Sequence, residues 1–298
     1  MSDSWDGNRL IGLRSDLDEL ELIGNNLFTV GVPVDADPEF KAYVFAAGAT
    51  HSSGNRSVDN MLRRHCDSWV KRFEDERSSD VRGVQSLRKV ILEKASGRSM
   101  ALAALDLNGN VNYGVRAAAN AQIRLESTFR AALQLVQLGY AFESEAVIRL
   151  GLEQVAWTYA IRNLATPGEV EATSGTGWIP NLKEVIPGAG RIYGRLSNLA
   201  HVSPATHSRF VAHSDGQTMI RIKAPAAAME SLLLLIILLD AFLVISERCF
   251  GSNGITCESI DPNTGKLLEE RVAQSLISDF EGILPPGSKD LFLMWWKA

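Results

Sequence analysis

The most apolar stretch of the chain is PAAAMESLLLLIILLDAFLVISERCF, residues 225–250. Glu230 and Asp240 limit its uninterrupted apolar run to Leu232–Leu239, which is too short to span a bilayer. Each carboxylate would also cost about 2.5–3.5 kcal/mol near the bilayer centre. The stretch therefore predicts a buried core helix without membrane insertion, and such a helix needs other helices around it.

Two long segments with helical apolar spacing precede this stretch, at about Val111–Leu138 and Glu143–Leu164. Gly139 separates them and is a typical residue just beyond a helix end. The short connection predicts an antiparallel helical hairpin. With a further helix at about Arg191–Val202, these segments predict a mainly α fold, an antiparallel helical bundle over residues 107–298 with a C-terminal helix and an apolar tail.

Residues 1–106 predict a small N-terminal α+β accessory region. Apolar spacing predicts helices over residues 8–24 and from Val58 onward. The β-rich runs Leu27–Val34 and Lys41–Ala46 are parted by the turn-type sequence DADP, so they predict a short hairpin. Another turn-type sequence, DLNGN, begins at residue 106 and sets the predicted boundary.

Composition is that of an ordinary globular protein. The chain has 298 residues, 46% hydrophobic and 22% charged, which is enough to bury a sizeable core. Its three cysteines are widely spaced and odd in number, which favours free thiols over a disulfide framework. Because the N-terminus shows no apolar segment flanked by basic residues, it predicts no secretory signal, and the predicted location is the cytoplasm.

No metal site and no cofactor are predicted. His201, His207 and His213 recur at six-residue intervals, but a helix would scatter them around its axis. Asp215 is the only acid nearby, so a complete ligand set is missing.

Charged residues lie among apolar ones on the two hairpin helices. Arg149 and Glu153 are four positions apart and share a predicted inward face with Leu150. Glu126 and Arg130 have the same spacing in the preceding helix. Buried charges are costly unless they are paired, so these positions predict either a structural polar network or a functional site.

The following helix carries Tyr193, Ser197 and His201 on one face, at positions i, i+4 and i+8. A histidine at the C-terminal end of a helix gains from the helix dipole, and imidazoles exchange protons near neutral pH. His201 is therefore interpreted either as a proton-transferring group or as a capping residue bonded to Ser197 or to free carbonyl groups.

These residues form an ordered pattern, Arg149-x3-Glu153 and then Tyr193-x2-Leu196-Ser197-x3-His201. The pattern resembles a bacterial helical family of unknown function that has a HEPN-like bundle, over about residues 111–250. The resemblance implies a compact bundle that is frequently dimeric, and for many HEPN proteins a metal-independent ribonuclease activity.

In such ribonucleases an arginine and a histidine lie a few residues apart near the end of a helix. Arg195 and His201 fit this spacing. The resemblance then implies that Arg195 holds phosphate and that His201 moves a proton to or from the ribose 2′-hydroxyl. It implies supporting roles for Arg149, Glu153, Tyr193, Ser197 and Glu126.

A basic segment is a candidate RNA surface. Between Arg56 and Arg98 eleven basic residues stand against seven acidic ones, in a chain whose net charge is -5. A local excess of positive charge attracts phosphate backbones, whereas a mixed charge run is also typical of a solvated, salt-bridged helix face. The candidate RNA contacts are Arg63, Arg64, Lys71 and Arg72.

Two functional classes remain open from the sequence. The first is an RNA endonuclease in a bacterial defence or toxin setting, acting as a homodimer. The second is a non-catalytic helical module that binds a partner or a small ligand.

Overall fold

The computed structural model of the protein describes residues 20–24, 28–33, 36–54, 57–75, 79–107, 111–201, 206, 209, 211–214, 217–220, 228–284 and 286–296. The protein is mainly helical, with 73% helix and a two-stranded antiparallel sheet near the N-terminus. The predicted helical character is therefore confirmed.

Ten α-helices lie in the described part of the chain. They are α1 (Pro38–Ser53), α2 (Val58–Asp75), α3 (Ser79–Ala103), α4 (Tyr113–Gln137), α5 (Ala141–Ile161), α6 (Pro167–Glu171), α7 (Ala189–Ala200), α8 (Ala228–Phe250), α9 (Val272–Asp279) and α10 (Ser288–Trp296). Two 3-10 helices lie at Thr176–Glu184 and Gly251–Asn253. The strands form two separate hairpins, β1 (Leu20–Gly24) with β2 (Thr29–Pro33) and β3 (Val211–Ser214) with β4 (Gln217–Ile220).

The chain divides into two compact units, residues 1–85 and residues 86–298, and the division falls inside α3. The boundary that the sequence places at residue 106 lies just after the end of α3, within the second unit. As a domain boundary it stays a prediction.

The first unit has a small core between the β1–β2 hairpin and the helices α1 and α2. Phe45 on α1 packs against Trp69 and Phe73 on α2, with ring centroids 5.0 Å and 6.2 Å away. Ile23 from β1 and Val32 from β2 belong to the same buried cluster. The apolar side chains of all four elements therefore account for this core.

Two sequence predictions in this unit are wrong in their placement. Lys41–Ala46 lies inside α1 and not in a strand, because Asp37 caps that helix by accepting a hydrogen bond from the Phe40 amide at 2.6 Å. Residues 20–24 form β1 rather than the end of a helix, since antiparallel pairing with β2 supplies hydrogen-bond partners for their backbone amide and carbonyl groups. The earlier part of that predicted helix lies outside the described residues.

In the second unit α4 and α5 form the predicted antiparallel hairpin. The Gln122 side chain on α4 donates to Thr158 on α5 at 3.3 Å, and the Gly114 amide donates to the Leu164 carbonyl at 2.9 Å. Gly139 lies in the turn with φ of 83°, a left-handed conformation that glycine adopts without strain. The predicted helix end at this residue is confirmed.

Helix α8 is the buried core helix that its sequence predicts. Every residue from Ser231 to Glu247 is buried, and α8 packs on α4 and α5. By length and composition it could cross a membrane, but 83% of its most apolar window is buried inside the protein. Such burial is typical of the core helix of a soluble protein.

The C-terminal segment docks on this core helix. Asp240 of α8 is buried and pairs with Arg271 at 3.1 Å, and it accepts a hydrogen bond from the Trp296 indole at 3.2 Å. The Arg271 guanidinium also lies 4.3 Å from the Trp296 ring centroid. The apolar tail therefore packs on the body of its own chain.

Candidate functional site

The candidate site forms where α5 packs against α7. Tyr193 on α7 donates a hydrogen bond to Glu153 on α5 at 2.7 Å. The guanidinium of Arg149, one turn before Glu153, donates to the Tyr193 hydroxyl at 3.2 Å, and its Nε lies 3.1 Å from Glu153 Oε1. Its Nη1 lies 3.4 Å from Nε2 of His201. These four residues form a connected polar cluster, called here the Arg149 cluster.

The hydrogen bonds fix the protonation of two members of the cluster. Burial and the hydrogen bond to Glu153 raise the pKa of Tyr193, so its hydroxyl stays protonated and can donate. The hydrogen bond to Tyr193 and the charge of Glu153 raise the pKa of Arg149. Arg149 is therefore a permanent cation that is held in place from two sides.

A hydrogen bond between Arg149 and His201 would require one particular tautomer of the imidazole. A guanidinium has only donors, so a hydrogen bond to it requires a lone pair on His201 Nε2. In that tautomer Nε2 can accept a proton, which is what a general base needs.

The cluster lies near the surface. The side chains of Arg149 and Glu153 are each 21% exposed, and His201 is exposed at the C-terminal end of α7. The inward face predicted for α5 is wrong, because Leu150 is 53% exposed while Ile148 and Leu152 are buried. The buried face of α5 is rotated around the helix axis relative to the predicted face. The Arg149 cluster lies at the edge of the buried face.

Arg195 belongs to a second polar group. Its guanidinium pairs with Glu230 in the first turn of α8, and Glu230 also pairs with Arg209 at 2.9 Å. Arg209 in turn lies 3.2 Å from Glu145, whose side chain is fully buried. Burial raises the pKa of Glu145, and the charges of Arg209 and Arg195 oppose this. These four residues are called here the Glu145 cluster.

Ser197 and Glu126 have other contacts. The Ser197 carbonyl accepts the backbone amide of His201 at 3.0 Å, at the C-terminal end of α7. This is a backbone contact, and the imidazole itself lies next to Arg149, so capping by the His201 side chain stays a prediction. Glu126 pairs with Arg130 at 3.0 Å and accepts from Ser96 of α3 at 3.2 Å. Glu126 therefore connects α4 to α3 rather than joining the Arg149 cluster.

Glu145, Arg209 and Glu230 are not among the site residues that the sequence predicts. One signal was available, because Glu145, Arg149 and Glu153 follow each other at intervals of four in a helix that is otherwise mostly apolar. Arg209 and Glu230 come from distant segments, and no local spacing links them to α5.

The predicted RNA contacts Arg63, Arg64, Lys71 and Arg72 are exposed on α2. The Arg72 guanidinium lies 5.8 Å from the ring centroids of Phe45 and Phe73. Helix α2 also contains four acidic residues, so its formal charge is zero. At the far end of the segment Arg98 is buried and pairs with Glu247 at 2.9 Å, so the segment to Arg98 is not one exposed basic surface.

The remaining ligand-type side chains are dispersed. In the described part of the chain, no three His, Cys, Asp or Glu side chains are grouped closely enough to hold a metal ion. The side chains of His207 and His213 lie outside that part. Cys66, Cys249 and Cys257 are free thiols, as the sequence predicts.

Comparisons with family models, curated proteins and solved structures gave no match for this chain. The resemblance to a HEPN-like family stays a prediction, and a function has to rest on the chemistry of the Arg149 cluster.

Proposed function

We propose that the protein is a HEPN-like helical bundle that cleaves RNA without a metal, in the bacterial cytoplasm and in a defence or toxin setting. The observation that carries the proposal is the convergence of Arg149, Tyr193 and His201 from two helices. A cation held beside an exposed imidazole is a suitable arrangement for cleaving a phosphodiester with a neighbouring hydroxyl.

In the proposed reaction His201 Nε2 takes the proton of the ribose 2′-hydroxyl. The 2′ oxygen then forms a bond to phosphorus, and the bond from phosphorus to the 5′ oxygen breaks. Water supplies the proton that the leaving 5′ oxygen takes up. The products are a 2′,3′-cyclic phosphate and a 5′-hydroxyl end, and a cation beside the phosphate stabilises the charge that develops on its oxygens.

The test is cleavage of a fluorescently labelled RNA with EDTA present, using the full chain. His201→Ala should lower the rate at least about 100-fold, since a positioned general base contributes about that much. His51→Ala is the matched control, because His51 is an exposed histidine at the end of α1, in the first unit. Equal rates for the two variants would refute the nuclease proposal.

The homodimer is a further part of this proposal. The resemblance supports it, whereas the apolar tail does not, because Phe292 and Trp296 are buried in their own chain. Light scattering of the purified protein would show a mass of twice 32.5 kDa if the dimer forms. A single-chain mass at micromolar concentration would contradict it.

A non-catalytic interaction module is the second candidate. Buried ion pairs such as Arg98–Glu247 and Asp240–Arg271 support it, because paired charges inside the same fold can have a purely structural role. If the Arg149 cluster has the same role, Glu153→Ala should lower the melting temperature sharply. An unchanged melting temperature would count against this candidate.

A further inference from the structure

Two arginines could supply the cation beside His201, and they have different partners. Arg195 lies six positions before His201 in sequence, but its guanidinium pairs with Glu230 at the start of α8. Arg149 comes from another helix, and its guanidinium lies 3.4 Å from the His201 ring. Proximity in space therefore favours Arg149 over the arginine that sequence spacing selects.

The charges around Arg195 also tie it to the Glu145 cluster. The fully buried Glu145 carboxylate depends on nearby positive charge from Arg209 and Arg195. If Arg195 turned toward a substrate phosphate, Glu230 would lose one of its two cations and the field at Glu145 would weaken. A buried carboxylate deprived of positive charge is costly, so this movement is disfavoured.

Arg149 has no such constraint. Its partners Tyr193 and Glu153 hold the side of the guanidinium that carries Nη2 and Nε, and Nη1 points to the exposed His201. Nη1 can exchange the imidazole for a phosphate oxygen while the other two contacts persist. A phosphate oxygen is the better acceptor, because a hydrogen bond between two opposite charges is stronger.

We propose that Arg149, and not Arg195, is the catalytic cation, and that its ligand is the phosphodiester group of RNA. This inference rests on the proposed function. The arriving phosphate replaces the His201 ring as the acceptor for Arg149 Nη1 and so frees the Nε2 lone pair. Nε2 then accepts the proton of the 2′-hydroxyl as the 2′ oxygen attacks phosphorus, so the base becomes available when substrate binds.

Arg195 is a positioning residue in this scheme. It holds α7, which carries Tyr193 and His201, against the first turn of α8 through Glu230. Lysine at position 195 would keep this ion pair, whereas lysine at position 149 could not bond Tyr193, Glu153 and phosphate together in the planar arrangement of a guanidinium.

The experiment compares Arg149→Lys and Arg149→Gln with Arg195→Lys in single-turnover RNA cleavage. We expect both Arg149 variants to lose about 100-fold or more, the range found when one positioned donor is removed from a site that stabilises an oxyanion. Arg195→Lys should lose no more than about fivefold. Circular dichroism of each variant establishes that it is folded. A large loss in Arg195→Lys with near-normal cleavage in Arg149→Lys would overturn the inference.

A second measurement separates this inference from the nuclease proposal. The ring 15N signals of His201 are recorded while a 2′-O-methyl RNA, which cannot be cleaved, is added to the full chain. The Nε2 signal should change in the unmodified protein and stay unchanged in Arg149→Gln. If RNA is never cleaved but this pattern is seen, the nuclease proposal fails, and Arg149 stands as the phosphodiester-binding residue without a catalytic role. If the Nε2 signal responds equally in Arg149→Gln, the inference fails whatever the cleavage result.

Discussion

Replacing Glu247 by leucine removes the carboxylate that accepts hydrogen bonds from the segment after α8. Its side chain is fully buried and pairs with Arg98 at 2.9 Å. It also accepts the backbone amides of Glu258, Ser259 and Ile260 at 3.0, 2.8 and 3.0 Å. Four donors therefore converge on one carboxylate, and all of them lose their acceptor together.

The magnitude follows from these contacts. Leaving Arg98 buried without its partner costs about 3–5 kcal/mol. Each buried amide without an acceptor costs about 1–3 kcal/mol more, although some of these amides will turn toward water. We expect Glu247→Leu to lower the free energy of unfolding by at least about 4 kcal/mol, a large part of the total stability of an ordinary domain.

The assay is guanidinium-induced unfolding followed by circular dichroism and tryptophan fluorescence. Glu258→Gln is the matched control, because its side chain is about half exposed and pairs with Lys94 at the surface. An exposed pair is worth less than about 1 kcal/mol, so the control should unfold almost as the unmodified protein does. If Glu247→Leu loses no more than this control, the buried network described here is refuted.

Three further predictions concern the second unit. Burial raises the pKa of Asp240 to about 6, above its ordinary 3.8, so the folded state binds the proton more tightly. Protonated Asp240 therefore adds up to about 3 kcal/mol to the free energy of unfolding below pH 4, and this stabilisation is lost as pH rises through 6. Asp240→Asn should flatten this part of a plot of melting temperature against pH. Gly114→Ala should unfold the protein or lower the free energy of unfolding by more than about 3 kcal/mol, because a Cβ at this position collides with the Ile161 carbonyl. Gly97 lies in an open part of α3, so Gly97→Ala should raise the free energy of unfolding in urea by about 0.5–1 kcal/mol. Trp296→Ala should lower the free energy of unfolding by about 3–5 kcal/mol in the same assay, because Trp296 is buried. Met294 lies on the exposed side of α10, so Met294→Ala should lower it by less than about 0.5 kcal/mol. Equal losses in the two variants would contradict the packing of the C-terminal tail on the body of the chain.

Much of the helical fold could be predicted because its signals are local. The hairpin of α4 and α5 follows from apolar spacing and Gly139, and the burial of α8 follows from its composition. The prediction of a strand at Lys41–Ala46 is wrong because apolar and β-type residues within a helix resemble a strand. Asp37 and Pro38, which are typical turn residues, form the start of this helix. A helix cap and a turn use the same residue types, so the sequence alone leaves the two open.

The site could be predicted only in part. The spacing of Tyr193 and His201 within one helix shows that they share a face, and the same holds for Arg149 and Glu153. The packing of one helix against another depends on residues far apart in sequence, so residue spacing within a helix does not predict it. Sequence distance therefore selected Arg195 as the partner of His201, whereas the packing of α5 on α7 brings Arg149 to it.

Two of the three carboxylates of α8 have a consequence for the chain during its synthesis. Asp240 and Glu247 are seven positions apart and so lie on the same side of the helix. Arg271, Trp296 and the amides at 258–260 are all made later than α8, so a nascent helix leaves the ribosome with most partners of these two charges still missing. Two uncompensated carboxylates make entry of this apolar helix into lipid less favourable at that stage. The groups that anchor the C-terminal segment in the finished protein therefore also oppose insertion of the unfinished chain into a membrane.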